Sequence, residues 1–117
     1  MKTIINDNFD PFYNLALEEY LLKKVEIEDD FFFLWRNQKC VIVGRNQNPF
    51  NEIDIHYALE NNITIARRST GGGTVYHDEG NINFTFITSQ LNGRLNNYEY
   101  FLEPIIKMLN KFGIQAR

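Results

Sequence analysis

Two runs dominated by aromatic and β-branched side chains, FFFLWR (31–36) and KCVIVGR (39–45), stand two residues apart. A strand with one wet face alternates apolar and polar residues. These do not, so both faces of the sheet they build must be covered. The chain has to supply that cover, and it does so early. In DPFYNLALEEYLLKK, Asp10 is placed to cap a helix and Pro11 to occupy its first position. Phe12, Leu15, Ala16 and Leu22, with Tyr13, Leu17, Tyr20 and Leu21, predict a wide apolar face lying on a sheet. Strands and helices of this kind in 117 residues make one α+β domain. With 44% hydrophobic and 15% aromatic residues, it has ample material for a core.

The remaining elements follow from local signals. KTIIN (2–6) predicts a strand, EIEDD (26–30) a solvated acidic loop and NQNPFNE (46–52) a turn-rich loop. A short helix capped by Asp54 is expected over 54–62, with His56 on its surface, and a strand over 63–67. TVYHD (74–78) and INFTFIT (82–88) predict two more strands, separated by a turn at Glu79-Gly80. In the second of these, Ile82, Phe84 and Phe86 are expected to face the core, with Asn83 and Thr85 turned away. Residues 89–97 read as a loop. Residues 98–113 carry a helical apolar pattern interrupted by Pro104, which should kink the helix or move its regular part to near Glu103, and Gly113 closes it. The last residues, IQAR, read as the start of another strand.

Charge and composition exclude several classes. No run of about 18 apolar residues exists to span a membrane. The N-terminus lacks the apolar core of a signal peptide, so a cytoplasmic protein is expected. The single cysteine, Cys40, rules out an internal disulfide framework or a cysteine zinc cluster and reads as a buried strand residue. No metal-ligand spacing is present. The net charge is −3. The central segment nevertheless holds Arg36, Arg45, Arg67 and Arg68, and arginine suits bidentate recognition of carboxylate or phosphate. A small anion fits this pattern better than nucleic acid, which asks for a net basic face.

The densest candidate site is ARRSTGGGTVYHD (66–78). Glycines admit main-chain N–H groups close to an oxygen, with no Cβ in the way. Neither the GxxxxGK nucleotide loop nor the GxGxxG dinucleotide pattern is present, and the glycines lead into a strand rather than a helix. Two readings therefore stay open: a hairpin turn that needs positive φ, and an anion cradle with Arg67 and Arg68 as its charge. His77 has only the neighbouring Asp78 as a polar companion, so it reads as a structural or ligand-contacting residue ahead of an acid–base catalyst. Trp35 and the Phe31–Phe33 run read as core that also walls an apolar pocket.

At RRSTGGGTVYHDEGNINFTF the chain resembles the lipoate–protein ligase family. The family signature RR-[ST]-[ST]-GGG-x-V-[YF]-HD is matched at every position from Arg67 to Asp78. DPFYNLALEE (10–19), LWRN (34–37) and VIVGRNQNP (41–49) match other family segments in the same order. The resemblance implies an α+β fold of the biotin/lipoate-ligase, class II synthetase-like type, a mixed sheet flanked by helices. Residues 1–117 would be the N-terminal portion of the catalytic domain. It also implies a two-step reaction. Lipoate attacks the α-phosphate of ATP to give lipoyl-adenylate, with Mg²⁺ expected, and the acyl group then passes to a lysine of a lipoyl domain. Acceptors would be acyltransferase subunits of 2-oxoacid dehydrogenases or the glycine-cleavage H protein.

Carried over by position, Arg68, Gly73, Thr74, Val75 and Tyr76 are expected to contact ATP. Trp35, Arg67, Ser69, Gly72 and His77 are expected to line the lipoyl and adenylate pocket. The family pattern continues into a GRNDL-like segment and a lysine holding both carboxylate and α-phosphate. Lys2, Lys23, Lys24, Lys39, Lys107 and Lys111 all lie elsewhere. The fold is therefore expected to be incomplete at its C-terminus, as in a truncated gene, a fragment or one subunit of a split enzyme. Loss of that lysine is expected to cost about 3–4 kcal/mol of transition-state stabilisation, by analogy with removal of a single donor. Two alternatives accompany this reading. One is an octanoyl or lipoyl transferase of the same superfamily, which works without ATP through a downstream cysteine or lysine. The other is a non-catalytic module that binds lipoyl-adenylate or a partner, self-associating through a bare sheet edge.

Overall fold

The computed structural model describes residues 1–24, 30–88 and 97–117. They fall into two units, Met1–Ile87 and Thr88–Arg117. The first contains β1 (Lys2–Ile5), α1 (Pro11–Lys23), β2 (Phe31–Trp35), β3 (Cys40–Val43), α2 (Pro49–Glu52), α3 (Ile55–Glu60), β4 (Thr64–Arg67), β5 (Val75–His77) and β6 (Asn83–Ile87). The second contains α4 (Tyr98–Lys111). The loops expected over 26–30 and 89–97 lie outside the described residues, apart from Asp30 and Asn97. Among the described residues no helix is long and apolar enough to cross a membrane.

The class is α+β and the sheets are mixed, as expected. The strands divide between two three-stranded sheets, ordered β1-β2-β6 and β4-β3-β5. Each central strand has one parallel and one antiparallel neighbour. In the first sheet Phe31 pairs with Lys2 of β1 and with Ile87 of β6. In the second, Cys40 pairs with Thr64 of β4 and with His77 of β5. A parallel pair needs a crossover. Helix α1 supplies the first, and α2 with α3 the second.

Helix α1 lies against β4 of one sheet and β6 of the other. Leu21, Phe33, Trp35 and Ile87 form one buried cluster, with Ile4, Leu15, Leu17 and Phe31 packed on it. Cys40, Ile42 and Ala66 form a second cluster, and Leu15 packs on this one too.

The start of α1 is as expected: the Asp10 carboxylate accepts from the N–H of Phe12 at 2.8 Å and of Tyr13 at 3.4 Å. Its buried face is narrower than the apolar pattern predicts. Pro11, Asn14 and Leu21 are buried, while Phe12, Tyr13, Tyr20 and Leu22 are exposed. The fully buried line runs at i, i+3 and i+10, Leu15 and Leu17 beside it are half-buried against the clusters, and Phe12, Tyr13, Tyr20 and Leu22 stay outside.

Strand β6 is turned over relative to expectation. Ile87 is buried, and Ile82 and Phe84 are exposed. Thr85, paired with the buried Phe33, accepts from Trp35 Nε1–H at 3.3 Å and donates to the Glu18 carboxylate. Its hydroxyl is thus satisfied on the inner face. Phe84 and Phe86 instead pack against Phe32, with ring centroids 6.4 and 4.9 Å away.

Two smaller expectations are also corrected. The segment read as a loop over 46–52 contains the single-turn helix α2, where Pro49 stands at a first position and Asn48 Oδ1 accepts from Phe50 N–H at 3.1 Å. Residues 114–117 form no strand. Ala116 N–H instead donates to Asn110 Oδ1 at 3.2 Å. Helix α4 itself runs through Pro104, is capped by Asn97, and ends at Gly113 with φ 78°. There Ile114 N–H donates to Leu109 O at 3.1 Å, a closure that glycine permits without a Cβ penalty.

Candidate functional site

The glycine segment is not a hairpin. A hairpin would pair β4 with β5, yet both pair with β3, on its opposite sides. Residues 68–74 therefore cross over the end of β3. Main-chain bonds hold the crossing down: Arg68 N–H donates to Val43 O at 3.0 Å and Arg45 N–H to Thr70 O at 2.9 Å. Gly72 adopts φ 99°, a region closed to most side chains. A Cβ on Gly44 would meet Gly72 O at 2.0 Å. Gly44→Ala is accordingly expected to lift the crossing and cost about 1–3 kcal/mol, read as a lower urea midpoint. A Cβ on Gly71 or Gly73 would meet no protein atom within 4 Å, so both glycines leave their backbone open to a close ligand.

Both arginines brace this segment. Arg67 Nη1 donates to the carbonyls of Gly44 at 2.9 Å, Arg45 at 3.1 Å and Gln47 at 2.7 Å. Arg68 Nη2 donates to Gly71 O at 2.8 Å and Gly73 O at 2.7 Å, while its Nη1 reaches Ile42 O only at 3.4 Å. Guanidinium carries five N–H donors. Arg68 thus shapes the loop and retains an Nη1 N–H for an anion. Gln47 ties the same parts together, its Oε1 accepting from Gly44 N–H at 3.0 Å and from the Thr74 hydroxyl at 2.7 Å.

Behind β5 lies a polar chain that the sequence reading missed. Asn14 and Asn37 are both 0% exposed. The two Nδ2 hydrogens of Asn14 are shared among Asn8 O, Arg36 O and Asn37 Oδ1, each 2.8 Å away, and its Oδ1 accepts from Asn6 Nδ2. Asn37 Nδ2 lies 3.1 Å from His77 Nδ1. An asparagine on the buried line of an apolar helix was the available signal, because such a residue survives burial only with its bonds made.

Burial pushes the His77 imidazole below its ordinary value, and the charge of Arg68 pushes it the same way. Below about pH 6.5 the unfolded chain then binds more protons than the folded one. This contribution to stability is complete above that pH and is lost as pH falls toward the folded value. Denaturant midpoints are expected to drop as pH falls below about 6.5, with His77→Gln removing the histidine component.

These elements enclose a cleft of about 520 Å³. Of the residues proposed from sequence, Trp35, Arg68, Val75, Tyr76 and His77 line it. Leu15, Ile42 and Phe84 add apolar wall, and Glu18, Thr85 and Asn83 add polar groups. Asn83 Nδ2 is buried without a hydrogen-bond partner. Strand β5 is an edge strand of its sheet, so one side of its backbone is unpaired by sheet bonds. Arg67 and Ser69 instead line a neighbouring cleft of about 550 Å³, which shares Arg68 and Thr70 with the first. Gly72, Gly73 and Thr74 line neither. Cys40 is buried on β3 with Ile42 and Ala66, and burial raises its thiol to about 11.

Known proteins resemble this chain in sequence and fold. The lipoyl protein ligase A/B catalytic domain family matches residues 10–117. Lipoate–protein ligase 1 of Staphylococcus aureus is 44% identical over 117 residues, which cover 99% of this chain and 36% of that protein. Lipoate-protein ligase LplJ of Bacillus subtilis is likewise 44% identical, with 99% and 35% covered. The chain thus spans about a third of the length of these relatives. The Plasmodium falciparum LipL1 structure in complex with lipoate superposes with a TM-score of 0.83 at 32% identity, covering 99% of this chain and 38% of that one. A lipoate-protein ligase A structure bound with ATP gives 0.64 at 33% identity, covering 74% and 36%. A Thermoplasma acidophilum structure, described as a bipartite lipoate protein ligase and its E2 lipoyl domain, gives 0.82 at 27% identity, covering 99% and 47%.

Proposed function

Because the chain belongs to the lipoyl protein ligase A/B catalytic domain family, we propose that its cleft is the nucleotide- and acyl-binding part of an ATP-dependent lipoate–protein ligase. The observation that carries this reading is the cleft's composition: an arginine and a strand edge, with two open glycines in the chain between the lining residues Thr70 and Val75, adjoin a wall of Trp35 and Phe84. Phosphate needs the first three, and an apolar acyl tail needs the last.

In the first step a lipoate carboxylate oxygen attacks the α-phosphorus of ATP. Pyrophosphate leaves, and lipoyl-adenylate forms. Charge builds on the equatorial phosphate oxygens, where Arg68 and the main-chain N–H groups not engaged by β3 stabilise it, with the backbones of Gly73, Thr74, Val75 and Tyr76 lining the adenylate. In the second step a lysine amine of a lipoyl domain attacks the acyl carbonyl. AMP leaves and an amide remains. Trp35, Arg67, Ser69, Gly72 and His77 hold the acyl and adenylate groups meanwhile. Among the described residues no cluster of three or more His, Cys, Asp or Glu is placed to hold a metal, so Mg²⁺ would arrive with ATP and no step here runs through it. We place the reaction in the cytoplasm, with lipoyl domains of acyltransferase subunits and the H protein as acceptors.

These 117 residues span about a third of the relatives' length. We propose that the remainder, joined to this chain or supplied separately, brings the lysine that grips carboxylate and α-phosphate. Mixing ATP, lipoate and a lipoyl domain with the 117-residue chain is expected to give no lipoyl transfer by mass spectrometry. Ready transfer would overturn the incompleteness. The transferase alternative gains nothing from Cys40, which is buried with its thiol raised. Lipoate-dependent ATP–pyrophosphate exchange by the completed protein separates the two. A binding module pairing through a sheet edge requires self-association, which sedimentation at high concentration reads directly.

A further inference from the structure

The orientation of each amide in the polar chain follows from its partners. Asn8 O and Arg36 O are carbonyl oxygens and can only accept, so the group facing them must be the Asn14 amino nitrogen. An Asn37 amino group 2.8 Å from that nitrogen would set two donors face to face, so the atom there is Asn37 Oδ1, sharing the two Asn14 hydrogens with the carbonyls, and the Asn37 amino group turns toward His77. An amino group can only donate, so His77 Nδ1 is an acceptor. The neutral ring then carries its proton on Nε2. His77 lines the cleft, and no described residue bonds its Nε2.

We propose that Asn37, itself held by Asn14, is a positioning residue that locks His77 as the Nε2–H tautomer and presents that N–H to a carboxylate or phosphate oxygen of the ligand. With Nδ1 engaged and Nε2 protonated, the ring has no free lone pair. His77 is therefore a hydrogen-bond donor and not the base that deprotonates an attacking amine. The lowered proton affinity of His77 keeps the ring neutral near pH 7 and so supports a single, directed N–H. Asn83 Nδ2 is a second unpartnered donor on the same cleft, and two neutral donors suit an oxygen-rich ligand. Only the identity of that ligand rests on the ligase reading; the tautomer does not.

The test uses the 117-residue chain labelled with ¹⁵N-histidine, with His56→Gln leaving His77 as the one histidine. Long-range proton–nitrogen correlation near neutral pH is expected to show an Nε2–H ring. Asn37→Asp is close in shape, but its carboxylate can only accept, so the ring is expected to become Nδ1–H or imidazolium. An Nδ1–H ring in the parent overturns the proposal, and so does an unchanged neutral Nε2–H ring in Asn37→Asp. If that variant fails to fold, the parent spectrum still decides. In the second arm, lipoate and ATP are titrated into the labelled protein. The Nε2–H proton is expected to move downfield, and Asn37→Asp to bind about tenfold more weakly. Binding without any change at Nε2–H overturns the donor role. Absence of all binding overturns that role together with the ligase reading, while the ligand-free spectrum reports the lock separately.

Discussion

Asn14→Leu is expected to remove about 3–5 kcal/mol of folding stability. Leucine has the same branching as asparagine and is the larger side chain, so the loss does not come from a cavity. It comes from the groups left behind. Asn37 Oδ1 is sealed from solvent, and Asn6 Nδ2 and Arg36 O lose their partner with it. The buried Asn37 Oδ1 costs about 1–3 kcal/mol when orphaned, half-buried Asn6 adds a smaller part, and Asn8 O and Arg36 O, on exposed residues, can turn to water. Against a total near 5–15 kcal/mol for an ordinary domain, this is a large share. Urea or thermal unfolding measures it directly. A loss below about 1 kcal/mol would mean that water replaces the asparagine and that the chain is not a sealed network.

Arg68→Ala is expected to reduce lipoate-dependent ATP–pyrophosphate exchange by about 10²–10³-fold in a protein completed with the segments its relatives carry. Two losses combine. The carbonyls of Gly71 and Gly73 lose the fork that sets their spacing, and the cleft loses the cation proposed to face the α-phosphate. Arg68→Lys separates them. Lysine restores a charge but cannot bridge two carbonyls and still face a ligand, so it is expected to recover only part of the rate. A fall of less than tenfold in Arg68→Ala would remove Arg68 from the phosphate site.

The elements of this protein were largely legible because their signals are local. Asp10-Pro11 starts α1, Asp54 starts α3 and Gly113 ends α4, each through a cap contained in a few residues. The pairing of strands was not local and was not legible. The glycines of 71–73 sit between two strands that look like hairpin arms, yet the partner of both is β3, some 30 residues earlier in the chain. The turned β6 has the same cause. Whether Phe84 or Thr85 faces inward depends on Trp35 and Glu18, which no pattern within β6 contains. The candidate site was legible as a motif, but the division of labour inside it was not. Arg67 spends its Nη1 donors on the turn after β3, while Asn14 and Asn37, which orient His77, carry no sequence signature of a site.

Leu15 has a bearing on how this polypeptide reaches its structure. Neither three-stranded sheet has enough interior to persist unaided, and one side chain packs into both clusters. The two sheets are therefore obliged to form and melt as one cooperative unit, with α1 as the element that couples them. Amides of Phe33 and Ile42, in different sheets, should exchange with deuterium through the same global opening and with one common free energy. The strand pairs that close this unit are distant in sequence, so its assembly will be slower than that of a helical bundle of equal length.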